Sequence, residues 1–351
     1  MEGVALMRVL VTGHNGYIGT LLVPLLQAAG HEVTGLDSYL FEECTFGPAP
    51  PDVASLRTDV RDVAAEDLDG FGAVIHLAGL CNDPLGDLRP ELTYEINHEA
   101  SVRLAELARA AGVERFLFSS SCSLYGASTD ELIDEDAEQN PVTPYGRSKA
   151  LAEEGILALR GRTFHPTSLR NATAYGFSPR LRADLVVNNL VAMVCATGEA
   201  LVKSDGSPWR PLVHVEDIAR VFVHLVDAPL ETCDGAVFNV GQTTENYRVS
   251  DVADLIEAIV PDARIVYAEG GGPDKRNYRV SCDRFAHAFP DFEFRWTVPD
   301  GIAEVHSALR DLGFDHSQLD DPRALRITQL RRMMDLGVVG PDLRPVARVA
   351  G

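Results

Sequence analysis

Tyr145 and Lys149 lie four residues apart in the stretch PYGRSK, residues 144–149. On a helix, this spacing places both side chains on one face, about one turn apart. An ammonium next to a phenol favours the phenolate, so the tyrosine can take a proton from an alcohol near neutral pH. The pair predicts a catalytic base with its activating cation. The same spacing also occurs on surface helices with no role in chemistry, so the surrounding elements have to decide between the two interpretations.

A glycine-rich turn near the N-terminus connects a strand-like run to a helix-like run. Residues 8–12 form the first strand-like run, residues 20–29 show helical spacing, and residues 32–37 form a second strand-like run ending in an acid. This order is typical of the βαβ unit that binds a dinucleotide, because glycines let the backbone approach a pyrophosphate at a helix N-terminus. The predicted cofactor contacts in the turn are Gly13, Asn15, Gly16, Tyr17, Ile18 and Gly19.

Asp37 ends the second strand-like run, about 20 residues beyond the turn, where a carboxylate holds the adenosine ribose of a bound dinucleotide. The same carboxylate would repel a 2′-phosphate. Its neighbours Ser38 and Tyr39 provide no cation to receive one. The sequence therefore favours NAD over NADP.

Apolar runs alternate with helix-like runs through the first half of the chain. Residues 53–60, 73–79 and 115–121 resemble strands, and residues 90–111 resemble a helix. Such alternation predicts an α/β fold, a doubly wound parallel Rossmann sheet with helices on both faces. Ligands bind such sheets at the carboxyl ends of the strands. Residues suited to ligand contact fall at these ends: Gly13, Asp37, Asp59, Gly79 and Ser121.

The amino-acid composition argues against some classes of binding partner. The chain has 351 residues, 46% of them hydrophobic, and its 31 basic and 52 acidic residues give a formal net charge of −21. Such a surface repels nucleic acid and anionic membranes. Six cysteines without zinc-like spacing predict no metal site and suit a reducing compartment. The chain enters a strand-like run within about eight residues, which predicts no signal peptide and a cytoplasmic location.

Four ordered motifs, GHNGYIG, HLAGL, SSSCSLYG and YGRSK, resemble the extended short-chain dehydrogenase/reductase family. The nearest branch is that of the NAD-dependent nucleotide-sugar epimerases and dehydratases, and the resemblance covers about residues 7–315. It implies a Rossmann domain and a smaller C-terminal domain that closes over a nucleoside diphosphate sugar. The expected division is residues 1–178 with a later strand and helix near 213–260, an interleaved substrate domain at 179–315, and a helical extension at 316–351. The family also implies a homodimer, formed by helices near 90–111 and 146–160.

The resemblance assigns roles to individual residues. Tyr145 is similar to the catalytic base, Lys149 to the lysine that holds the nicotinamide ribose and lowers the tyrosine pKa, and Ser121 to the residue that hydrogen-bonds the reacting hydroxyl. Asp59 and Val60 correspond to the adenine pocket. The wall beside the pyrophosphate and nicotinamide ribose corresponds to Leu77, Ala78 and Gly79. The expected substrate contacts are Ser121, Cys122, Ser123, Asn171, Thr173, Asn188, Asn189, Arg210 and Arg276.

The sequence also departs from the family pattern. Dehydratases need an acidic pair after the serine, and decarboxylases usually need a glutamate there, but this chain has Cys122 and Ser123. Thr173 stands where the family often has asparagine, and Leu80 to Asp83 lack the lysine of some galactose-type epimerases. Epimerisation at C4 is the leading expectation. The alternatives are a reductase or dehydrogenase of a nucleotide-linked keto sugar and a nucleotide-sensing protein without catalysis.

Overall fold

A computed structural model describes residues 6–50, 52–269 and 276–346, apart from the side chains of residues 128–130. Its main layer is a seven-stranded parallel sheet. In chain order, the strands of the whole structure are β1 Arg8–Thr12, β2 Glu32–Asp37, β3 Ser55–Arg57, β4 Ala73–His76, β5 Arg115–Ser121, β6 Ala127–Ile133, β7 His165–Asn171, β8 Thr173–Tyr175, β9 Glu199–Val202, β10 Trp209–His214, β11 Val237–Val240, β12 Asn246–Arg248, β13 Arg264–Tyr267 and β14 Asn277–Val280.

Helices follow most of the strands and cover both faces of the main sheet. The α-helices are α1 Gly19–Ala28, α2 Asp83–Leu88, α3 Pro90–Tyr94, α4 Ala100–Ala110, α5 Pro144–Leu157, α6 Val186–Thr197, α7 Val215–Asp227, α8 Leu230–Cys233, α9 Val249–Ile259, α10 Asp283–Ala288, α11 Val298–Asp311 and α12 Arg326–Asp335. Short 3₁₀ turns lie at Val60–Asp62, Ala65–Leu68, Cys122–Tyr125 and His316–Gln318.

The main sheet has the order β11-β7-β5-β4-β1-β2-β3, so the chain reverses direction across the sheet beside β1. This doubly wound arrangement is the predicted fold class. Its central strands are buried on both faces; β4, for example, is buried at all of its residues, whereas the edge strand β3 is mostly exposed. Two apolar layers flank the sheet, one formed with α1 and α7 and the other with α4 and α5. A reversal of strand order opens a crevice at the carboxyl ends of the strands, where ligands bind.

The second half of the chain builds a separate apolar cluster around α6, α9 and α11. Its small sheets are β12-β10-β8 and the pair β13-β9, while β14 pairs with β6 from the first half. The strand β11 nevertheless returns to the main sheet beside β7. The two halves are therefore interleaved in the chain, and the sequence division into domains stays a prediction.

Some predicted elements differ from those in the structure. The helix expected over 90–111 is interrupted by a π-helical turn at Glu95–Glu99, and the strand expected over 53–60 is limited to β3. A single π turn inserts an extra residue and occurs frequently at functional sites. The helix expected in the C-terminal extension is present as α12. Met1 to Ala5, before the first strand-like run, and Pro273 to Lys275, just before Arg276, lie outside the described residues. Among the described helices, none has the length and apolar character needed to cross a membrane.

Candidate active site

A cavity of about 1050 Å³ opens at the carboxyl ends of the main-sheet strands. Six strands of the main sheet contribute to its lining at or just beyond their last residue, as the parallel topology requires. The cavity collects most of the residues singled out in the sequence. These are Gly13, Gly16, Tyr17, Ile18, Gly19, Asp37, Asp59, Val60, Leu77, Ala78, Gly79, Ser121, Ser123, Tyr145, Lys149, Asn171, Thr173, Asn189, Arg210 and Arg276.

The glycine turn is packed too closely to accept side chains. Gly13 has φ +72°, and a Cβ there would lie 2.8 Å from the backbone nitrogen of Ala78. A Cβ on Gly19 would lie 2.4 Å from the Gly13 carbonyl oxygen. The first turn of α1 receives no hydrogen bond from a side-chain cap. Gly16, Tyr17, Ile18 and Gly19, at the N-terminus of α1, line the cavity, and the N–H groups of a helix N-terminus suit a phosphate.

The Asp37 carboxylate is held by the main chain at the end of β2. It accepts hydrogen bonds from the backbone N–H groups of Tyr39 at 2.6 Å and Asn15 at 3.2 Å. Burial raises the pKa of Asp37, opposed by these hydrogen bonds and by the charges of His14 and Arg180. The carboxylate is thus fixed in the cavity lining beside the glycine turn, in the position expected for a ribose contact.

At the other predicted adenine contact, Asp59 is paired with Arg61. The Arg61 guanidinium donates to both carboxylate oxygens, at 2.9 and 2.7 Å, and also to Glu95 at 3.0 Å. Burial alone would raise the pKa of Asp59, but the hydrogen bonds from Arg61 hold it below its usual range. The Asp59 side chain is therefore fixed as a carboxylate, with Val60 buried next to it.

Helix α5 carries the predicted catalytic pair. Thr143 caps it by accepting a hydrogen bond from the Gly146 N–H, and Pro144 occupies its first turn. A Cβ on Gly146 would lie 2.9 Å from the Ser123 carbonyl oxygen, so the helix packs directly on the segment after β5. The Lys149 ammonium donates to the Ser119 carbonyl oxygen at 2.7 Å. Burial lowers the pKa of Lys149 to about 8.

Tyr145 is half-buried and lies with Ser121 in the cavity lining. Burial raises the pKa of the Tyr145 phenol above its usual value, and the nearby Cys81 raises it further. A hydrogen bond with Ser121 and the positive charge of Arg182 oppose this rise. The expected lowering of the phenol pKa by Lys149 is not among these causes, so in the free protein the tyrosine is a neutral phenol.

Asn97, on the π-helical turn, fixes the loop that follows β4. Its side-chain oxygen accepts from the Leu80 N–H at 2.8 Å, and its amide donates to the Leu80 carbonyl at 2.9 Å and to Ser148 at 3.2 Å. A Cβ on Gly79 would lie 2.9 Å from this side-chain oxygen. Asn97 is fully buried and absent from the cavity lining. It therefore positions the loop against α5 instead of contacting a ligand.

Three predicted contacts require correction, because they lie outside the cavity lining. Cys122 points away from it, with its thiol donating to the Arg170 carbonyl at 3.1 Å, and burial raises the pKa of this thiol. Asn188 binds the Gly176 N–H at 2.9 Å and donates to the Tyr17 hydroxyl at 3.1 Å. The side-chain oxygen of Asn15 accepts from Arg180 at 2.7 Å. All three side chains instead form contacts between distant segments of the chain.

Arg210 and Arg276 are adjacent in the lining, as expected of two cations that serve one anion. The Arg210 guanidinium donates to the Arg276 carbonyl at 2.5 Å, and Arg276 forms an ion pair with Asp83. Six Lys or Arg side chains and five Asp side chains belong to the described lining. The cavity is therefore far less acidic than a chain of net charge −21 would suggest, which suits an anionic ligand.

Arg182 and Asp184 also line the cavity, although the sequence analysis did not select them. Their side chains form a two-point ion pair at 3.0 and 2.7 Å. The Arg182 guanidinium also donates to the carbonyl oxygen and the sulfur of Cys81, at 3.2 and 3.0 Å. A signal was present in the charged run Arg180-Leu181-Arg182-Ala183-Asp184, which begins five residues after the end of β8. This composition is unusual for a segment in which both arginines become buried.

Buried polar atoms without partners test whether the cavity suits a ligand. The Ser120 hydroxyl, the Asn171 side-chain oxygen and one Asp83 carboxylate oxygen have no hydrogen-bond partner among the described residues. All three residues line the cavity. Because buried polar groups are normally satisfied, these atoms and the glycine turn fit a site built for a polar ligand with a dinucleotide beside it.

Comparisons with known proteins agree with this geometry. The model of the NAD dependent epimerase/dehydratase family matches residues 9–241. The UDP-glucose 4-epimerase of Corynebacterium glutamicum is 28% identical over 270 residues, which cover 72% of this chain and 80% of that protein. The human UDP-glucose 4-epimerase is 28% identical over 287 residues, which cover 71% and 81% of the two chains.

Solved structures show the same fold. The structure described as MoeE5 in complex with UDP-glucuronic acid and NAD is 27% identical, has a TM-score of 0.74, and is matched over 87% of this chain and 99% of that one. A second, described as the NAD-dependent NDP-hexosamine 5,6-dehydratase TunA, is 24% identical with a TM-score of 0.77 over 87% of this chain and 98% of that one. The latter likeness concerns the fold alone.

Proposed function

Because this chain belongs to the NAD-dependent epimerase/dehydratase family, we propose that it converts a nucleoside diphosphate sugar into its C4 epimer. The observation that carries the proposal is the convergence of Ser121, Tyr145 and Lys149 in one cavity with the glycine turn. Bound NAD supplies the hydride acceptor and donor for such a reaction. The chain itself has to bind the sugar, orient it and move one hydroxyl proton.

Tyr145 and Ser121 are suited to that proton movement. Both line the cavity, and Ser121 opposes the rise in the pKa of the Tyr145 phenol, so an alcohol placed between them would meet a donor and an acceptor at once. Burial keeps the phenol neutral in the free protein, and a positive charge arriving in the cavity would favour its phenolate form. Tyr145 would take the proton of the C4 hydroxyl, and Ser121 would hold that hydroxyl in line.

Lys149 lies next to this arrangement and helps to hold it. Its ammonium binds the Ser119 carbonyl, and Gly79 approaches the ammonium closely, since a Cβ there would lie 3.8 Å from Nζ. One hydrogen bond of the ammonium is therefore fixed, while its remaining N–H groups are available to a ribose in the cavity. We assign Lys149 to cofactor positioning and to the local positive charge that a phenolate requires.

The diphosphate of the sugar nucleotide would lie at Arg210 and Arg276. Both arginines line the cavity, and Arg276 is held by Asp83. A planar guanidinium matches paired phosphate oxygens. Asn171, whose side-chain oxygen has no partner among the described residues, would accept from a sugar hydroxyl, with Thr173 next to it in the lining.

A screen of UDP-, GDP-, dTDP- and CDP-linked sugars tests the proposal. Each is incubated with the purified protein, and the anomeric region is followed by NMR for formation of the C4 epimer. The expected result is an equilibrium between two epimers with no net change in NADH absorbance. Sustained consumption of NADH with a keto sugar would establish the reductase in place of the epimerase.

Elimination of water is a second candidate, favoured by one observation. Asp83 places a buried, unpartnered carboxylate oxygen in the lining and acts electrostatically on Tyr145. A carboxyl group near the reacting sugar is what an elimination needs as acid or base. The same incubations distinguish it, because a dehydratase would release a product lighter by one water in the mass spectrum.

A further inference from the structure

The C-terminal segment, residues 316–346, forms one wall of the cofactor cavity. Its members in the lining are His316, Leu319, Asp320, Leu325, Arg326 and Ile327. The segment is fixed to the first part of the chain, because Leu330, Val339 and Leu343 are buried in the same apolar cluster as Leu36 and Val60. It is therefore an integral part of the site, and its role is not explained by the reaction proposed above.

The wall is also tied to the residues at the adenine end of the cavity. Arg61, which holds Asp59, donates to the Asp342 carbonyl oxygen at 3.0 Å. Arg89 donates to the Pro341 carbonyl at 2.7 Å, and Arg344 forms an ion pair with Asp62. These contacts fix the stretch after α12 to the 3₁₀ turn at Val60–Asp62 and to the start of α3. Helix α12 itself contacts the segment after β2, because Gln329 and Arg332 both donate to Glu43.

Arg326 is the cation that this wall presents to the cavity. The residue is 2% exposed. Its guanidinium donates to the carbonyl oxygens of Arg180 at 2.7 Å and Arg323 at 3.4 Å, and it lies over the Phe41 ring at 5.1 Å. Within the described ranges, no carboxylate lies within 4.0 Å of it. A buried guanidinium bound only to neutral acceptors is costly unless an anion joins it.

The charges around Arg326 do not cancel. Arg182 forms an ion pair with Asp184, and the negative charge of Asp37 interacts with the positive charge of Arg180. Glu42 also acts on Arg180, but it is itself paired with Arg57. Among the described residues of this group, Arg57, Arg180, Arg182 and Arg326 therefore face three carboxylates, which leaves one positive charge over. Arg326 is linked to the glycine turn through Arg180. It binds the Arg180 carbonyl, while the Arg180 side chain donates to the carbonyl and side-chain oxygens of Asn15, at 2.9 and 2.7 Å.

We propose that Arg326 binds the pyrophosphate of NAD and that the C-terminal segment is part of the cofactor site. A diphosphate also belongs to the sugar nucleotide, so the ligand chemistry alone allows two sources. The connection through Arg180 to Asn15 assigns Arg326 to the dinucleotide. The sugar diphosphate has its own cations in Arg210 and Arg276, which lie on β10 and next to β14.

Binding measurements on the full chain, freed of cofactor, test this assignment. It rests on the cofactor site of the proposed function but not on the reaction, because no sugar is turned over. Titration calorimetry compares Arg326→Gln, Arg326→Lys and the wild type with NAD, ADP, adenosine and UDP. Arg331→Gln is the matched control, since it removes the same charge from an exposed position of α12.

Arg326→Gln should weaken NAD and ADP binding about 10- to 100-fold, the size of a lost charge-assisted hydrogen bond. Adenosine and UDP binding should stay within about twofold of the wild type, and Arg326→Lys should recover part of the loss. NAD binding of Arg326→Gln equal to that of Arg331→Gln would overturn the proposal. A selective loss of UDP binding would overturn it too, by assigning the arginine to the sugar nucleotide. If the wild-type protein bound no NAD, the proposed cofactor site itself would be wrong.

Thermal unfolding of the cofactor-free proteins separates binding from folding. Removing an uncompensated buried charge should leave the melting temperature of Arg326→Gln unchanged or raise it. The stabilisation added by saturating NAD should then be smaller than in the wild type, because it follows the affinity. A lower melting temperature without cofactor, together with equal losses for adenosine and NAD, would show that the arginine is structural and that the proposal is wrong.

Discussion

The Lys149 ammonium donates a 2.7 Å hydrogen bond to the main-chain oxygen of Ser119. This single bond links α5 to the end of β5, two residues before Ser121. The lysine is buried, and burial lowers its pKa to about 8. The pair therefore combines a positioning contact with an ionisable group that the fold makes easier to deprotonate.

Lys149→Met should raise the free energy of unfolding of the cofactor-free protein at pH 7 by about 1–3 kcal/mol. The folded-state pKa of this base lies below its unfolded value of 10.5, so the unfolded chain binds more protons between about pH 8 and 10.5. Wild-type stability should rise with pH across that window, and the difference from Lys149→Met should close. Urea unfolding at several pH values measures this, with Lys203→Met at an exposed lysine as control. A difference independent of pH would contradict the assignment.

Tyr145→Phe should lower kcat about 100- to 10,000-fold, the usual contribution of a positioned acid or base. The NAD content of the purified protein should not change, because the ring still fills the same space. Turnover of the sugar identified by the screen and absorbance of the released cofactor are the two measurements. Tyr267→Phe is the control, since Tyr267 is 44% exposed on β13. Activity of Tyr145→Phe close to that of Tyr267→Phe would remove the proposed base.

Arg182→Gln should move the rising limb of the kcat–pH profile to higher pH. Burial, Cys81 and Asp83 raise the pKa of Tyr145, while Ser121 and Arg182 oppose the rise. Without the guanidinium charge, the Tyr145 phenol ionises only at a higher pH. Arg182→Lys should restore part of the original profile, and Arg147→Gln, an exposed position on α5, should not alter it. A uniform loss of rate with an unshifted profile would mean that Arg182 only supports the loop.

Asn97→Ala should destabilise the protein by about 2–4 kcal/mol, because it leaves the buried N–H and carbonyl of Leu80 without partners. The loop beside Gly79 should loosen, so NAD should also bind more weakly. Chemical denaturation and NAD titration report the two effects. Asn140→Ala, which removes one exposed hydrogen bond, serves as control. Weaker NAD binding at unchanged stability would instead indicate a direct contact.

Glu153→Ala should cost about 3–5 kcal/mol, because it leaves the Arg170 charge buried and unpaired. The pair is formed at 2.7 Å, with side-chain exposures of 5% and 3%. Replacing both residues, as Glu153→Leu with Arg170→Met, should recover much of the loss. Denaturation midpoints measure the difference. A double variant as unstable as Glu153→Ala would show that the remaining hydrogen bonds of the cluster, not the charge, account for the cost.

Local patterns predicted the parts of the site that lie within one strand and its following turn. The glycine turn, Asp37, and the series Ser121, Tyr145 and Lys149 reach one cavity because parallel strands end at the same edge. The fold class, the family and the use of NAD are confirmed. Cytoplasmic location, dimerisation and the C4 position of the reaction stay predictions.

Local sequence patterns could not predict the contacts between distant segments of the chain. Arg182 binds Cys81, 101 positions earlier, and Arg326 binds Arg180, 146 positions earlier. Neither distance leaves a periodic signal in the sequence. Cys122 was assigned to substrate because it follows Ser121, but the 3₁₀ turn at Cys122–Tyr125 directs its side chain into the protein. The direction of a side chain at such a turn depends on tertiary packing.

The place of β11 at the edge of the main sheet has a practical consequence. This strand pairs with β7, although 65 residues separate the end of one from the start of the other. A fragment that stops near residue 178 would leave β7, which is buried in the whole protein, as an unpaired edge strand, and such edges promote aggregation. The cofactor-binding half is therefore poorly suited to expression on its own. A fragment of this half should include β11.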